Sequence, residues 1–400
     1  MINLQSNWLR KLASASVLSY TALAVGWAIA HKLVGDEFWL LALANGFAIY
    51  LFAPLPLMAL LAALARRRTT WAALLIPVLL FFGLFGADLT PPAPVVRAGG
   101  NDLTLTVMTY NVLYTNTDAV PIVASVAAAG PDLIAFQELT PLLARQLERE
   151  IGARYPYRTP LHPAACYAEV AIWSRYPLQV ESVDDEILCR VRPVVVEVEG
   201  LRARVVDVHA WSYTTLDQES VERGFRWRRE QIEWVLKAVE GKPEPLILLG
   251  DLNSTPMHEV YYTLSTFENG HSDGTLSTFE NGHSDGALST FENGHSDGTL
   301  STFENGHSDG TLSTFENGHS DGALSTHLVD SFREAGWGLG HTFPATGGRV
   351  WNIPHPGRLV RIDHIFHSDD WQAEAAWVGE WDGASDHRPV IARLRLPRPE

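Results

Sequence analysis

Three long apolar runs, residues 12–30, 38–65 and 71–87, open the chain, and none contains a charged residue. A helix that crosses a bilayer needs ~20 apolar residues, and a run with no polar face has nothing to show to water. A cleaved signal peptide accounts for one such run, not three. The first ninety residues are therefore expected to form three transmembrane helices, the second broken by Pro54 and Pro56. Arg10 and Lys11 precede the first run, and Arg66, Arg67 and Arg68 separate the second from the third. Lys32, in the first loop, is offset by Asp36 and Glu37. Positive loops stay in the cytoplasm. The expected arrangement is a multi-pass cell-membrane protein with a cytoplasmic N-terminus and everything after residue 87 extracytoplasmic. Residues 91–102, "PPAPVVRAGGND", read as a tether, stiff and then flexible.

The formal net charge is −16, of which −10 comes from one region. There, "TLSTFENGHSDG" is repeated five times over residues 263–322, with Ala287 replacing the first Thr in one copy and a truncated "ALST" following. Each copy supplies one Glu, one Asp and no Lys or Arg. The rest of the chain is only mildly acidic, which argues against nonspecific binding to nucleic acid. One Phe and one Leu per twelve residues bury too little to offset chain entropy, so the array is expected to be a solvated, mobile surface loop. It lacks the regular apolar position of a calcium-binding solenoid. Cys166 and Cys189 both lie in the exported part. Their spacing leaves open a disulfide or two buried thiols.

From residue 103 the pattern changes to strands. "LTLTVMTYNV", "PDLIAFQEL", "AEVAIWSRYP", "RPVVVEVEG", "RARVVDVHAW", "PLILLGDLN", "RLVRIDHIFH", "AEAAWVGEW" and "HRPVIARLRL" are each short, apolar and bounded by turn residues. Residues 217–240 read as a long amphipathic helix with Phe225, Ile232, Trp234, Val235 and Leu236 inward. Many strands with a few helices between them predict an α/β domain of two packed sheets covered by helices.

Chemistry-bearing residues collect at the strand ends: Asn111 in "MTYNV", Glu138 in "FQE", His209 in "DVHAW", Asp251 and Asn253 in "GDLN", Asp363 in "RIDHIF", Asp386 and His387 in "SDHRP". Singly each is a turn or a surface residue; a rigid sheet can aim them together. In this order they resemble the endonuclease/exonuclease/phosphatase superfamily, over residues 103–396 with the repeats as an insertion. The resemblance implies a four-layer α/β/β/α sandwich, here preceded by three transmembrane helices. The implied layout is 1–90 membrane region, 91–102 linker and 103–400 catalytic domain. It implies phosphoester hydrolysis with Mg²⁺, or Mn²⁺ in its place. Carried across, Asn111, Glu138 and Asp386 match the metal site. Asp251 matches the group that orients or deprotonates the attacking water, with Asn253 holding that water or the phosphate. His387 matches the histidine on the scissile phosphate, Asp363 its partner, and His209 a second histidine near the leaving oxygen.

Arg228, Arg229 and Gln231 are set aside because arginines on helices more often face solvent. His162 is read as a loop residue, and strand alternation sends His364 to the face opposite Asp363. Membrane spans followed by this domain are similar to membrane-anchored bacterial proteins of the VanJ type, which implies a lipid phosphate or pyrophosphate substrate. A site tethered at a bilayer meets such headgroups at high effective concentration. An extracytoplasmic nuclease and an inactive membrane-tethered binding module are the competing readings.

Overall fold

The computed structural model describes residues 2–92, 102–162, 164–184, 187–213, 215–269, 326–350 and 353–398. The expectations for the tether beyond residue 92 and for the repeats beyond residue 269 lie outside these residues. The N-terminal part is helical: α1 (Ile2–Val34), α2 (Trp39–Gly46), α3 (Leu55–Ala65) and α4 (Arg68–Leu89). Three stretches, Asn7–Val34, Ala48–Ala65 and Arg68–Leu89, are long and apolar enough to cross a membrane. Val17, Ala62 and Leu74 form the small core where α1, α3 and α4 meet.

The second apolar run supplies one such stretch, Ala48–Ala65, but it breaks before Pro54 and Pro56 as well. It divides into α2, a 3-10 turn at Ala48–Phe52, and α3. Pro54 caps α3 and Pro56 lies in its first turn, where a missing N–H has no helical partner to lose. The short α2 turns back onto the α/β domain. There Ala42 packs with Val221 and Phe225.

The remaining helices are α5 (Val120–Ala129), α6 (Pro141–Ile151), α7 (Gln218–Val239), α8 (Glu259–Ser265) and α9 (Ser331–Ala335). The strands begin with β1 (Leu103–Asn111), β2 (Leu133–Leu139), β3 (Tyr157–Arg158), β4 (Glu169–Ser174) and β5 (Leu178–Val180). Next come β6 (Val191–Val198), β7 (Leu201–His209), β8 (Leu246–Asp251), β9 (Glu268–Asn269) and β10 (Thr326–Asp330). The last are β11 (Gly348–Val350), β12 (Ile353–His355), β13 (Asp363–Ser368), β14 (Gln372–Val378) and β15 (Val390–Leu396). One sheet has the order β14-β15-β1-β2-β4-β3, the other β5-β6-β7-β8-β13-β10-β9, and β11-β12 is a separate hairpin. Both large sheets are mixed: β1–β2 and β7–β8 are parallel, with antiparallel neighbours.

Period-two alternation decides which face each residue takes. Leu105, Val107, Leu133 and Ala135 of the first sheet meet Val205, Ile247, Leu249 and Ile365 of the second in one core. Their sequence neighbours point the other way. Met108, Ile134 and Phe136 pack under α5 and α6 through Ile122, Val126, Leu143 and Leu147. Val206, Val208, Leu248 and Phe366 pack under α7 and α8 through Ile232, Val235 and Tyr261. Asp217 caps α7 by accepting the Ser220 N–H at 3.0 Å. Helix α8 ends inside the first repeat copy, whose Leu264 is fully buried in this outer core. Strand β10 begins at Thr326, directly after the array.

Cys166 and Cys189 form a disulfide across 23 residues. It ties the loop before β4 to the start of β6. Closing a loop of that size restricts the unfolded chain by about 3 kcal/mol. Cys166→Ser is therefore expected to lower stability by roughly that amount. Urea unfolding followed by tryptophan fluorescence measures it, and a midpoint unchanged from wild type would contradict the expectation.

Candidate active site

Register brings the site together. His209 pairs with Asp251 across the parallel β7–β8 ladder, and Asp363 pairs with Asp251 across the antiparallel β8–β13 ladder. Cross-strand partners share a face, so the three side chains stand in one row. It is the face that also carries Ile247, Leu249 and Ile365, so the row sits at the rim of the inter-sheet core. From the facing sheet, Asn111 ends β1 on the same parity as Leu105 and Val107.

Glu138 breaks that parity. In β2 the inward residues are Leu133, Ala135 and, by alternation, Gln137; Glu138 should face the helices. Its φ is 57°, and the β2–β4 register shifts between Phe136 and Leu139. An irregularity of this kind re-aims a side chain, and a left-handed non-glycine residue stores strain where function needs it. The Glu138 carboxylate accordingly accepts from Asn111 Nδ2 at 3.1 Å and from the Tyr114 N–H at 2.8 Å. Asn253, at φ 48°, is the second left-handed residue of the site.

Asn111 bridges the two sheets. Its Nδ2 also donates to Asp251 Oδ2 at 3.0 Å, and its Oδ1 accepts the Leu113 N–H at 3.0 Å. Asp251 Oδ1 accepts the Asn253 N–H at 2.9 Å, and Asn253 Nδ2 donates to the Ala210 carbonyl at 3.0 Å. His209 Nε2 lies 3.7 Å from Glu138 Oε1 and 3.8 Å from Asp251 Oδ2. His387 Nδ1 donates to Asp363 Oδ2 at 2.9 Å, leaving Nε2 3.8 Å from Asp251 Oδ2. Ser385 Oγ donates to the Asn111 carbonyl at 2.6 Å and accepts the His387 N–H at 3.0 Å, which anchors the loop before β15 to β1. Glu138, His209, Asp251, Asn253, Asp386 and His387 all line one cavity of about 620 Å³.

Burial and neighbouring charge split the two histidines. Burial alone would pull His387 down; Asp363, Asp251 and Asp386 outweigh it and push it up to about 10. Burial holds His209 well below the usual imidazole range, with Arg190 and His387 adding to the effect. One is an imidazolium and the other neutral. Burial and the Asp363 charge push Asp251 up to about 7, against the pull of His387. Burial likewise raises Asp386.

Crowded, partly desolvated carboxylates suit a hard divalent cation, which would relieve the repulsion that raises them. Among the described residues, ligand atoms of Asp251, Asp363 and His387 lie within 4.8 Å of one another, close enough to hold a metal ion. In that trio His387 already gives its Nδ1 proton to Asp363 and carries a charge. Glu138 and Asp386 face the same cavity, with Asn111 beside them. Oxygen donors for a cation thus line the cavity from β2, from β8 and from the loop before β15.

Two residues set aside from the sequence belong to the support of this site. Arg228 is buried, not solvent-facing; its Nε donates to the Trp211 carbonyl at 2.8 Å and one terminal nitrogen to Ser254 Oγ at 3.2 Å. Gln231 is also buried, donating to the His209 carbonyl at 3.2 Å and accepting the Trp211 N–H at 3.1 Å. Together they fix the backbone on either side of Ala210. Their signal was the helical stripe Val221, Phe225, Arg228, Ile232, Val235, in which Arg228 occupies a core position. Arg229 instead reaches Glu259 at 3.3 Å on the partly exposed side. His364 does face away from Asp363, donating to the Ser254 carbonyl at 2.8 Å, and His162 pairs with Glu169.

Solved structures to which the chain is similar include truncated TDP2 of Caenorhabditis elegans. It has a TM-score of 0.45 at 13% identity, over 73% of this chain and 98% of that one. An endonuclease/exonuclease/phosphatase from Beutenbergia cavernae DSM 12333 gives 0.42 at 20% identity, over 73% and 72% of the two chains. The human Nocturnin catalytic domain with bound sulfate gives 0.42 at 13% identity, over 74% and 96%. No curated protein matches the chain. A sequence model does match, over residues 108–387, a span of more than half the chain that begins just before Asn111 and ends on His387. On that match the chain belongs to the Endonuclease/Exonuclease/phosphatase family.

Proposed function

We propose that the protein is a membrane-anchored phosphoesterase that hydrolyses phosphate ester or pyrophosphate bonds of a lipid by in-line attack of water. The observation that carries this reading is the single cavity shared by Glu138, Asp251, Asp386 and the cationic His387. Mg²⁺, or Mn²⁺ in its place, would be held by Glu138, Asp386 and Asn111 and would supply charge neutralisation at the phosphate. Asp251, poised at about 7, accepts a proton from the attacking water while Asn253 holds its carboxylate in place. The oxygen of that water bonds to phosphorus as the bond to the leaving oxygen breaks. His387 turns its free Nε2 toward the phosphate oxygens, and Asp363 fixes its orientation and charge. His209, neutral and tied in place through its own carbonyl by Gln231, hydrogen-bonds the leaving oxygen without adding charge.

Residues 1–90 are read as the anchor, with the N-terminus cytoplasmic and the catalytic domain, 103–400, extracytoplasmic in the manner of the VanJ type. Helices on the outer face of each sheet support a four-layer sandwich. A substrate panel tests the reading on the full chain: a long-chain prenyl diphosphate, phosphatidic acid, sphingomyelin and single-stranded DNA, each with Mg²⁺, Mn²⁺ or chelator. Turnover of the lipid phosphates that chelator abolishes is the expected result. Turnover of DNA alone would favour a nuclease, and no turnover of any substrate would favour an inactive binding module.

A further inference from the structure

The catalytic cavity is not built by the catalytic domain alone. Gly46 and Phe47, from the junction of α2 with the 3-10 turn, form part of its wall. Phe343, whose ring packs 4.9 Å from that of His387, lines the same cavity with Pro344, Leu359, Val360 and Ile362. A phosphate group fills only a small part of 620 Å³, and its charge has no use for an apolar wall.

The segment is clamped, not draped. Asp36 Oδ2 accepts the Glu259 N–H at 2.7 Å, and its Oδ1 accepts Asn45 Nδ2 at 3.0 Å. His258 accepts the Thr255 N–H on Nδ1 at 2.9 Å, so Nε2 carries the proton it donates to the Ala42 carbonyl at 3.1 Å. Tyr50 donates to the carbonyl of Leu359, itself a wall residue, at 2.9 Å. Ala42 packs on Val221 and Phe225 of α7. These contacts hold Phe47 in the cavity wall while leaving the residue 43% exposed. Gly46 and Phe47 lie between Asn7–Val34 and Ala48–Ala65, so this wall is covalently continuous with two stretches long and apolar enough to span a membrane.

We infer that this inter-helix segment is a specificity element of the active site, with Phe47 receiving the alkyl, acyl or prenyl portion of an amphiphilic phosphate ester whose phosphate lies at Asp251 and His387. The inference rests on the phosphoesterase reading above for the position of the phosphate. It deepens that reading by placing Phe47, outside the family's matched span, in the wall that receives the apolar part of the substrate. A wall of aromatic and aliphatic side chains gains by covering hydrocarbon and gains nothing from a hydrated polar ester.

The test uses the full chain in phosphatidylcholine nanodiscs, with dodecyl phosphate and methyl phosphate as substrates and the two corresponding phosphonates as ligands. Phe47→Ala is expected to lower the preference for dodecyl over methyl phosphate about tenfold, mainly through KM, and Phe47→Leu to retain most of it. Dodecylphosphonate binding should weaken in Phe47→Ala by a similar factor, with methylphosphonate as the reference. Chain-length preference within twofold of wild type in Phe47→Ala, in both turnover and binding, would overturn the inference and leave the phosphoesterase reading intact. If wild type hydrolyses neither ester but Phe47→Ala still weakens dodecylphosphonate binding, the hydrolase reading fails and the binding wall stands.

Discussion

An Asp251→Asn protein is expected to fold as wild type does and to turn over substrate about a thousandfold more slowly. The two halves of that expectation come from one environment. Asp251 is fully buried between His209 and Asp363, and burial with the Asp363 charge pushes it up to about 7. A carboxyl held above its ordinary value is one whose ionised form the folded state disfavours. At pH values above the ordinary carboxylate range the charge therefore works against folding, and replacing it with a neutral amide of the same shape removes that penalty. The substitution gives up one acceptor among the bonds to Asn111 and Asn253, a loss of about 1 kcal/mol in the other direction. Turnover has no such compensation, because an amide cannot take the proton of the attacking water. A thermal melt by circular dichroism and single-turnover rates measure the two halves separately. Turnover within tenfold of wild type would remove Asp251 from proton transfer.

His387→Ala should lose both activity and stability. Removing a preorganised donor aimed at the reacting phosphate costs about a hundred- to a thousandfold in kcat. The stability loss arises elsewhere. Asp363 is buried, and its carboxylate rests on the imidazolium at 2.9 Å. Taking away one partner of a buried ion pair strands the other, at a cost of about 3 kcal/mol or more. Adding Asp363→Asn to the Ala variant removes the stranded charge, so most of the lost stability should return while activity does not. If the double variant is no more stable than the single one, the pair does not carry the charge assigned to it. The separation matters because a fall in rate from poor folding and one from lost chemistry look alike in a crude assay.

Much of the domain was legible in the sequence because alternation and helical spacing are local properties. The nine strand-like segments all carry strands, and the amphipathic helix begins on its Asp217 cap. His209, Asp251 and Asp363 could be grouped because each ends or begins an apolar strand, and a ladder has only to align them. Glu138 was singled out by the same strand-end position, but how it reaches the site was not legible. Its parity points it the wrong way, and a left-handed backbone and a register shift are not written in residue type. Arg228 was misread for the opposite reason. Its charge outweighed its position on a core stripe, where two hydrogen-bonding partners, the Trp211 carbonyl and Ser254, made burial tolerable. The folding of residues 38–52 onto the α/β domain was illegible because apolar runs look alike whether they face lipid or protein. The packing of Ala42 on α7 and the bonds made by Asp36, Ala42 and Tyr50 distinguish them.

The repeat array leaves and re-enters the fold at fixed points. Leu264 of the first copy is locked into the core beneath α8, and Thr326, closing the truncated copy, opens β10 against the sheet. The row of His209, Asp251 and Asp363 lies on β7, β8 and β13, whose alignment is set by their own ladders. The registers that set Asp251 beside His209 and Asp363 thus belong to β7, β8 and β13 and include no residue of the repeated sequence.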